Sequence, residues 1–338
     1  MAYTATELLE ARVFFENVAS GKFQANELRR PVTNCTNSFI NSTPFAVTGG
    51  ASTIENLKKS GEQALKIPVQ TKMVTDGGTA RSCASATTES GSALTTLTYS
   101  TYTEGFYMSE LLHANNDIDF QASLRHKLSE KMNILMQRLE ANLCAYLESS
   151  ASAVSSSTMG TLSSGVDTIS LANKKEYFSR MTTAMMQNNF MPNYSHVHSM
   201  GLVNDIMLQQ YEGAGNAANL SPQQDVFTHY AANLIPTTGS TSAASFVFVP
   251  GTVGLVNFNN KLHTGNAVSG ANTWTTMANP FAPGLPFDLK ITTGCTDNSG
   301  EATADLTTSF ELVLQFARFK AYTSNTDTGI YKFQLANA

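Results

Sequence analysis

The sequence predicts an α+β protein in which one long helix follows a long strand hairpin. From Asp119 to Glu148, apolar residues recur every three or four positions, which places them on one stripe of an α-helix. No Gly or Pro interrupts this stretch, which at about 1.5 Å per residue gives a helix about 45 Å long. Segments in which apolar and polar residues alternate lie before and after the helix, and these predict strands. We therefore expect the helix to organise the fold.

The predicted helix has recognisable start and stop signals. Asp117 and Asp119 offer N-cap carboxylates at its beginning, and Ser149 and Ser150 open the Ser-rich run that ends it. Large apolar side chains form its stripe: Phe120, Leu124, Leu128, Met132, Leu135, Leu139, Leu143 and Leu147. This stripe is expected to pack against the longest predicted strand, at 307–322.

Two alternating segments with a polar tip predict a protruding hairpin. Ile67–Val74 and Leu94–Met108 are rich in β-branched and aromatic residues, so both are predicted strands. Between them, Asp76–Ser92 has Gly at its turns and almost nothing to bury. A two-stranded ribbon is marginally stable alone, so we expect the hairpin to lie on a neighbouring molecule.

The N-terminal 50 residues are expected to form an arm rather than a domain. A short helical pattern at residues 8–15 is followed by a polar segment that Pro31 and Pro44 interrupt. Residues 54–65 predict a short helix after this arm.

The second half of the chain predicts a mixed region followed by long strands. Residues 151–165 are expected to be a Ser/Gly loop, and helices are expected at 173–189 and 200–211. Strands are expected at 196–198, 246–249, 254–258, 287–292, 307–322 and 330–335, with a turn at Pro250-Gly251. The longest strand alternates inward Phe310, Leu312, Leu314 and Phe316 with Glu311 and Gln315.

The composition restricts the possible function classes. Charged residues make up 14 % of the chain, against about 25 % in a typical soluble protein, and Ser, Thr, Asn and Gln take their place. Because interface centres are depleted in Lys, Glu and Asp, this bias favours a surface that meets other protein, with a secreted or surface-layer protein as the alternative. The net charge of −5 argues against a basic face that grips nucleic acid.

The chain shows no sequence signal for secretion or membrane insertion. Its first residues, MAYTATE, have neither the basic nor the apolar region of a signal peptide, and no apolar run approaches about 18 residues. We therefore expect a soluble, cytosolic chain that does not enter a membrane. The four cysteines, Cys35, Cys83, Cys144 and Cys295, form no CxxC pair and are expected to be reduced thiols.

Motifs of enzymes and metal sites are absent or fail in their context. His196 and His198 would share one face of a strand, but a zinc site needs three or four ligands and no third is identifiable in the sequence, so a packed or surface pair is expected. Residues 213–218 resemble a dinucleotide loop but follow a helix instead of a strand. There is no P-loop, HExxH or GxSxG motif. No catalytic, cofactor or metal site is predicted.

The order of the predicted elements resembles the major capsid protein of tailed double-stranded DNA bacteriophages, the Hong Kong 97 phage-type fold. Residues 103–148 look like that family's passage from extended loop into spine helix, 173–210 are similar to its axial-domain helices, and 287–322 to its peripheral-domain strands. The resemblance implies an N-terminal arm (1–50), a short helix (51–65), an extended hairpin loop (66–110), a peripheral domain with the spine helix (111–172, helix 119–148), an axial domain (173–285) and returning peripheral-domain strands with the C-terminus (286–338).

The same resemblance implies a structural protein without enzymatic activity or cofactors. Its copies would assemble as hexamers and pentamers into the icosahedral head of a virion, inside the host cytoplasm, and contact the packaged DNA weakly. Portal, scaffolding and decoration proteins are further partners that the resemblance allows, whereas a membrane is not expected. The alternatives are an encapsulin-type bacterial nanocompartment shell and, from a different class, a surface-layer or adhesin-like protein.

Charged residues on the arm, the hairpin tip and the long helix are candidates for contacts between subunits. For the helix, the alternative is a solvated face with salt bridges inside one subunit, since exposed ion pairs contribute at most about 1 kcal/mol each. The tip at 76–92 has no lysine, so the isopeptide cross-link of some family members is not expected. The interface candidates are Arg29, Arg30, Asp76, Arg81, Glu89, Arg125, Lys131 and Arg138.

Overall fold

The computed structural model describes most of the chain from residue 31 onward. The described residues are 31–47, 66–70, 92–109, 117–153, 161–163, 165–207, 226–236, 241–258, 267–269, 272–296, 305–321 and 328–336. The helical pattern at 8–15, the predicted helix at 54–65 and almost all of the hairpin tip lie outside these residues.

Helices and strands are mixed along the described residues, as an α+β fold requires. The longer helices are α1 (Asn34–Ala46), α2 (Asp117–Ser150) and α3 (Tyr177–Gln187), with 3-10 helices at Leu171–Glu176 and Met200–Leu202. The strands are β1 (Lys66–Gln70), β2 (Ser92–Thr96), β3 (Ser100–Ser109), β4 (Thr161–Ser163), β5 (Val166–Ile169), β6 (Tyr194–Ser199), β7 (Phe227–Ala232), β8 (Thr241–Phe248), β9 (Val253–Asn257), β10 (Ala267–Ser269), β11 (Asn272–Met277), β12 (Phe287–Thr296), β13 (Asp305–Lys320) and β14 (Ile330–Ala336).

The first of two compact units is built on an antiparallel sheet. It contains Tyr99–Leu139 and Asn257–Ala317, together with residues 31–33. Strands β10, β11, β12, β13 and β3 lie side by side in that order, and each neighbouring pair is antiparallel. The predicted axial domain, 173–285, differs from this division after residue 257, because β11 pairs with β12 and so joins the sheet of the first unit.

The second unit has a mixed sheet with a helix packed on it. It contains Asn34–Thr98, Glu140–Val256 and Arg318–Ala338. The strand order is β4-β5-β14-β8-β6-β7, in which the β14–β5 and β6–β7 pairs are parallel and the others antiparallel. Helix α3 and the sheet share an apolar core that includes Tyr177, Phe178, Met181, Met185, Tyr194, Phe227, Val247 and Phe333.

Helix α2 confirms the prediction of one long uninterrupted helix. It runs from Asp117 to Ser150, two residues further at each end than the predicted 119–148. The described members of its apolar stripe are all at most 2 % exposed: Leu124, Leu128, Met132, Leu135, Leu139, Leu143 and Leu147. Because burying one such side chain contributes about 1.5–3 kcal/mol, the stripe is a major source of stability along the whole helix.

Strand β13 shows the predicted alternation, followed by a change of phase. Phe310, Leu312, Leu314 and Phe316 are fully buried, as expected. After Phe316 the buried positions shift by one residue, to Ala317 and Phe319. The shift falls where the chain passes from the first unit to the second. Beyond the shift, the ring of Phe319 lies against Gly254 of β9, in the second unit.

The expectation that all of residues 1–50 form an arm is wrong for residues 34–46, which form α1. Its buried positions, Cys35, Ser38, Phe39, Ser42, Thr43 and Ala46, follow helical spacing. The hydroxyl of Ser42 donates to the carbonyl of Val253 at 2.6 Å, and the hydroxyl of Thr43 accepts from the N–H of Leu255 at 2.9 Å. Backbone groups of β9 therefore form hydrogen bonds with buried hydroxyl groups of this helix. Pro44 lies in the last turn of the helix.

The base of the predicted hairpin is present, with one correction. Strands β1 and β2 are antiparallel, with Lys66 opposite Thr96 and Gln70 opposite Ser92. The single strand predicted at 94–108 is divided into β2 and β3 by residues 97–99. The break separates the hairpin, in the second unit, from β3, which belongs to the sheet of the first.

Several short strands were not expected from the sequence. Strand β4 lies within the predicted loop at 151–165, and β7, β10 and β11 lie in segments without a predicted element. The predicted turn at Pro250-Gly251 is confirmed, and Gly251 adopts φ +99°, a backbone conformation that favours glycine. Among the described residues, none of the helices is both long and apolar enough to span a membrane.

Replacing Leu135 with Ala should lower the free energy of unfolding by about 2–5 kcal/mol, because it removes a fully buried side chain and leaves a cavity. Urea unfolding followed by circular dichroism measures this change. The control is Gln137→Ala, at an exposed position two residues further along the same helix, which should change stability by less than about 0.5 kcal/mol. Equal effects of the two substitutions would contradict the burial of the stripe.

Candidate functional site

The predicted interface residues divide into those the structure describes and those it does not. Arg29, Arg30, Asp76, Arg81 and Glu89 lie outside the described residues. Arg125, Lys131 and Arg138 all lie on α2. Their surroundings therefore decide which helix charges are available to a neighbouring subunit.

Two of the three helix charges are engaged within the first unit. A guanidinium nitrogen of Arg138 lies 2.5 Å from one carboxylate oxygen of Glu104, and the ammonium of Lys131 lies 3.9 Å from the other. The Arg138 guanidinium also sits 4.9 Å from the ring centre of Tyr102. Both Glu104 and Tyr102 belong to β3, so these charges join α2 to the edge strand of the sheet. Lys131 and Arg138 therefore fit the alternative stated from the sequence, in which the helix charges form salt bridges inside one subunit.

Arg125 differs from the other two helix charges. Its side chain is exposed, and it makes no ion pair or hydrogen bond with the described part of the chain. It is therefore the helix charge that remains available for an external partner.

Several large apolar side chains are exposed to solvent in the subunit. Among the described residues there are ten such side chains, and eight of them belong to the second unit. The most exposed is Met191, at 80 %, and Leu94 of the hairpin base is 67 % exposed. The ten are Phe45, Leu94, Tyr107, Leu171, Met186, Met191, Met200, Met207, Leu234 and Phe258. Such residues are typical of surfaces that another protein covers.

Glu140 forms a buried polar centre at the start of α1. One of its carboxylate oxygens accepts the backbone N–H of Cys35 at 2.8 Å. The other accepts the backbone N–H and the hydroxyl of Thr36, at 2.9 and 2.8 Å. The carboxylate therefore caps the free N–H groups of the helix, although it comes from a residue more than a hundred positions away.

Burial controls the protonation of this centre. Glu140 is fully buried, and burial raises the pKa of its carboxyl, while the hydrogen bonds from Thr36 and Cys35 lower it in part. The thiols of Cys35 and Cys144 lie beside it, and both are free and buried. Burial, together with the neighbouring Cys144, raises the pKa of the Cys35 thiol. Cys35 is therefore an inert thiol, and Cys144 is a small buried residue beside it.

A cluster of three histidines lies on the sheet of the second unit. In the parallel pair β6–β7, His196 stands opposite His229, and His198 follows two residues along β6 on the same face. Their ring centres lie 4.9 Å (His196–His198), 5.1 Å (His196–His229) and 5.8 Å (His198–His229) apart. The third member, His229, was not identified from the sequence, since only the pairing of β6 with β7 brings it into place.

The histidine cluster is surrounded by aromatic rings and largely closed to solvent. His196 and His198 are buried, while His229 is half-buried. The ring of Phe178 lies 5.7 Å from those of both His196 and His229, edge-on to each, and Phe227 lies 5.8 Å from His196. Burial lowers the pKa of all three imidazoles, and that of His229 falls to about 4. The three rings are therefore neutral at neutral pH.

Comparison with solved structures identifies the fold. The chain is similar to the capsid asymmetric unit of cyanophage Pam1, with a TM-score of 0.54 and 12 % identity, over 93 % of this chain and 98 % of that one. Structures from Mycobacterium phage Adephagia (TM-score 0.46, 11 % identity, 92 % of each chain) and from the capsid of Ralstonia phage GP4 (0.45, 9 %, 94 % of each) also match. No family model and no curated protein matches the sequence. The fold is the Hong Kong 97 phage-type capsid fold, as predicted.

Glu140→Gln should change how stability depends on pH. Because the carboxyl has a higher pKa in the folded than in the unfolded chain, the folded protein binds more protons between those two values, and its free energy of unfolding falls as pH rises through that interval. The variant lacks this titration. The difference in unfolding free energy, wild type minus variant, should therefore decrease from about pH 4 upward and then level off.

Urea unfolding at a series of pH values measures that difference. Glu130→Gln, at an exposed position on the same helix, controls for the loss of one negative charge. A wild-type-minus-Glu140→Gln difference that is constant or increases with pH would contradict the effect of burial on Glu140.

Proposed function

We propose that this chain is the major capsid protein of a tailed double-stranded DNA bacteriophage and builds the icosahedral head of the virion. The observation that carries the proposal is the similarity to the cyanophage Pam1 capsid, which covers 93 % of this chain and 98 % of that one. Along this chain the hairpin base is followed by the long helix, a mixed region and returning strands, which is the order that the sequence predicted. The phage shell is favoured over an encapsulin-type nanocompartment because the structure from cyanophage Pam1, which matches with a TM-score of 0.54, is a phage capsid.

The surface of the subunit supports self-assembly into hexamers and pentamers. Exposed methionines follow one another along the second unit, at Met186, Met191, Met200 and Met207. Methionine adapts its shape to a partner and is enriched at interfaces. Obligate interfaces bury about 2,000–5,000 Å², which is enough to cover these side chains. Portal, scaffolding and decoration proteins are further candidate partners.

The hairpin supports the same proposal. Its base is held by the buried Ile67 and Leu97, whereas Leu94 on β2 is exposed and lies opposite Pro68. A ribbon of two strands gains little stability on its own. A neighbouring subunit that covered Leu94 would supply the missing burial.

The proposed role is structural, and contact with packaged DNA is weak. The net charge of −5 gives the chain little attraction for phosphate. Affinity that depends on scattered Lys and Arg residues falls steeply with salt, because each phosphate contact releases counterions. A lining of this kind encloses a genome without obstructing its packaging or ejection. Assembly would take place in the host cytoplasm.

Negative-stain electron microscopy of the purified full-length protein tests the proposal. We expect closed round shells of uniform size, because the exposed apolar side chains and the hairpin supply contacts to several neighbours. A chain that stays monomeric or dimeric over a wide range of protein and salt concentrations would contradict the proposed function.

A deletion of residues 76–91 tests the part that the hairpin plays. It removes the tip, and the five residues 71–75 remain to connect Gln70 to Ser92, which are paired at the end of the ribbon. The variant should unfold like the wild type in thermal scans, since the tip has little to bury, but form no shells. The matched control is Glu130→Ala, a single exposed charge on α2 outside the candidate interface residues, which should leave assembly intact. Normal shells from the deletion variant would exclude the hairpin tip as an assembly element.

A further inference from the structure

We propose that His196, His198 and His229 form a binding site for a divalent transition-metal ion, with Zn²⁺ as the ion of first choice. A ring nitrogen from each of the three residues lies within 4.8 Å of one from each of the others. Zn–N bonds of about 2.0–2.1 Å in a tetrahedral site place ligand nitrogens about 3.4 Å apart. Binding of an ion would draw the three ring nitrogens together to that separation. This site is independent of the proposed capsid function.

Unsatisfied hydrogen bonding in the cluster is the second observation that points to a ligand. The Nδ1 atoms of His196 and His229 lie 2.9 Å apart and share one proton, whereas Nε2 of His196 is buried and has no hydrogen-bond partner among the described residues. A buried polar atom without a partner costs about 1–3 kcal/mol, and such atoms are rare in folded proteins. A metal ion bound by the cluster would engage the lone pairs that the rings cannot satisfy among themselves.

A second hydrogen bond orients His198 as a metal ligand. Its Nδ1–H donates to the backbone carbonyl of Ser199 at 3.0 Å, which fixes the tautomer and leaves the lone pair on Nε2. Metal-bound histidines usually donate their other ring N–H to a carbonyl or carboxylate in this way. The ring is therefore held in the protonation state that binds a metal.

The surroundings of the cluster select the type of ion. Imidazoles must be neutral to bind a metal, and burial among Phe178 and Phe227 keeps these three neutral. The cluster consists of nitrogen donors, which suit Zn²⁺, Ni²⁺ or Cu²⁺ and not Mg²⁺ or Ca²⁺. The half-buried His229 gives the side from which an ion enters.

A bound ion would connect the edge strand β7 to its neighbour β6. Strand β7 ends the sheet order of the second unit, and its sheet partner is β6. An ion held by His196 and His198 from β6 and by His229 from β7 would link the two strands. Unlike the hydrogen bonds at a sheet edge, these metal–ligand bonds would not be weakened by competing water. A bound ion should therefore stabilise this part of the unit.

Titration of the untagged full-length protein with Co²⁺ and Zn²⁺, after treatment with a chelator, tests the site. Co²⁺ gives a visible absorption band that reports nitrogen ligands in tetrahedral geometry, and calorimetry gives the stoichiometry and affinity for Zn²⁺. We expect one equivalent per chain and a higher unfolding temperature with Zn²⁺. His198→Gln and His229→Gln should each weaken binding at least about 10-fold and remove the thermal shift.

The control for these variants is His126→Gln, at an exposed position on α2, which should bind like the wild type. Because His198 is buried and its variant could fail to fold, His229→Gln at the half-buried position decides the result. The proposal is overturned if the wild type binds no stoichiometric ion. It is also overturned if His229→Gln binds as tightly as the wild type, or if His126→Gln loses binding to the same extent.

Discussion

The continuity of α2 is the constraint on which the rest of the structure depends. Its residues up to Leu139 belong to the first compact unit, and those from Glu140 belong to the second, without a break in the helix. In the first unit, Arg138 joins it to Glu104 of β3. In the second, Glu148 pairs with the buried ammonium of Lys332 at 2.6 Å. One apolar stripe, buried at every described position, thus contributes to the stability of both units.

Buried polar groups in the second unit also explain part of the unusual composition. The sequence is rich in Ser and Thr, which we attributed to surfaces that meet other protein. In α1, however, Thr36, Ser38, Ser42 and Thr43 are buried and hydrogen-bonded to backbone groups or to Glu140. The same unit holds Lys332 and Glu140 inside, each with a partner, because an unpaired buried charge would be costly. The shortage of charge therefore reflects the core of this protein as well as its surface.

The elements predicted correctly are those whose apolar pattern is long and regular. Helix α2 and strand β13 were found because Leu135 and Phe310 belong to extended stripes that only one periodicity fits. Helix α1 was missed because its inward side is made of hydroxyl residues such as Ser42, whose partners lie on a distant strand. Strand β10 has only three residues, and β11 (NTWTTM) is mostly polar and shows no regular alternation of apolar and polar residues.

The candidate sites could also be predicted only in part from the sequence, because they depend on contacts between distant segments. His196 and His198 could be placed on one face of a strand, but His229 joins them only through a parallel pairing between strands more than 30 residues apart. Glu140 is the buried cap of α1, a role that the sequence did not reveal because α1 itself was not predicted. Lys131 and Arg138 turned toward Glu104 for a similar reason, since β3 lies alongside. Contacts between distant segments are not encoded in local periodicity.

Native-state hydrogen exchange along α2 tests most directly whether one continuous helix is shared by both units. If it is, backbone amides before and after the boundary at Leu139 should exchange through the same opening, with similar protection free energies from Leu124 to Leu147. Exchange of the segment after Glu140 at a free energy several kcal/mol lower than that of the segment before it would show that the helix breaks at the boundary, and would contradict the account.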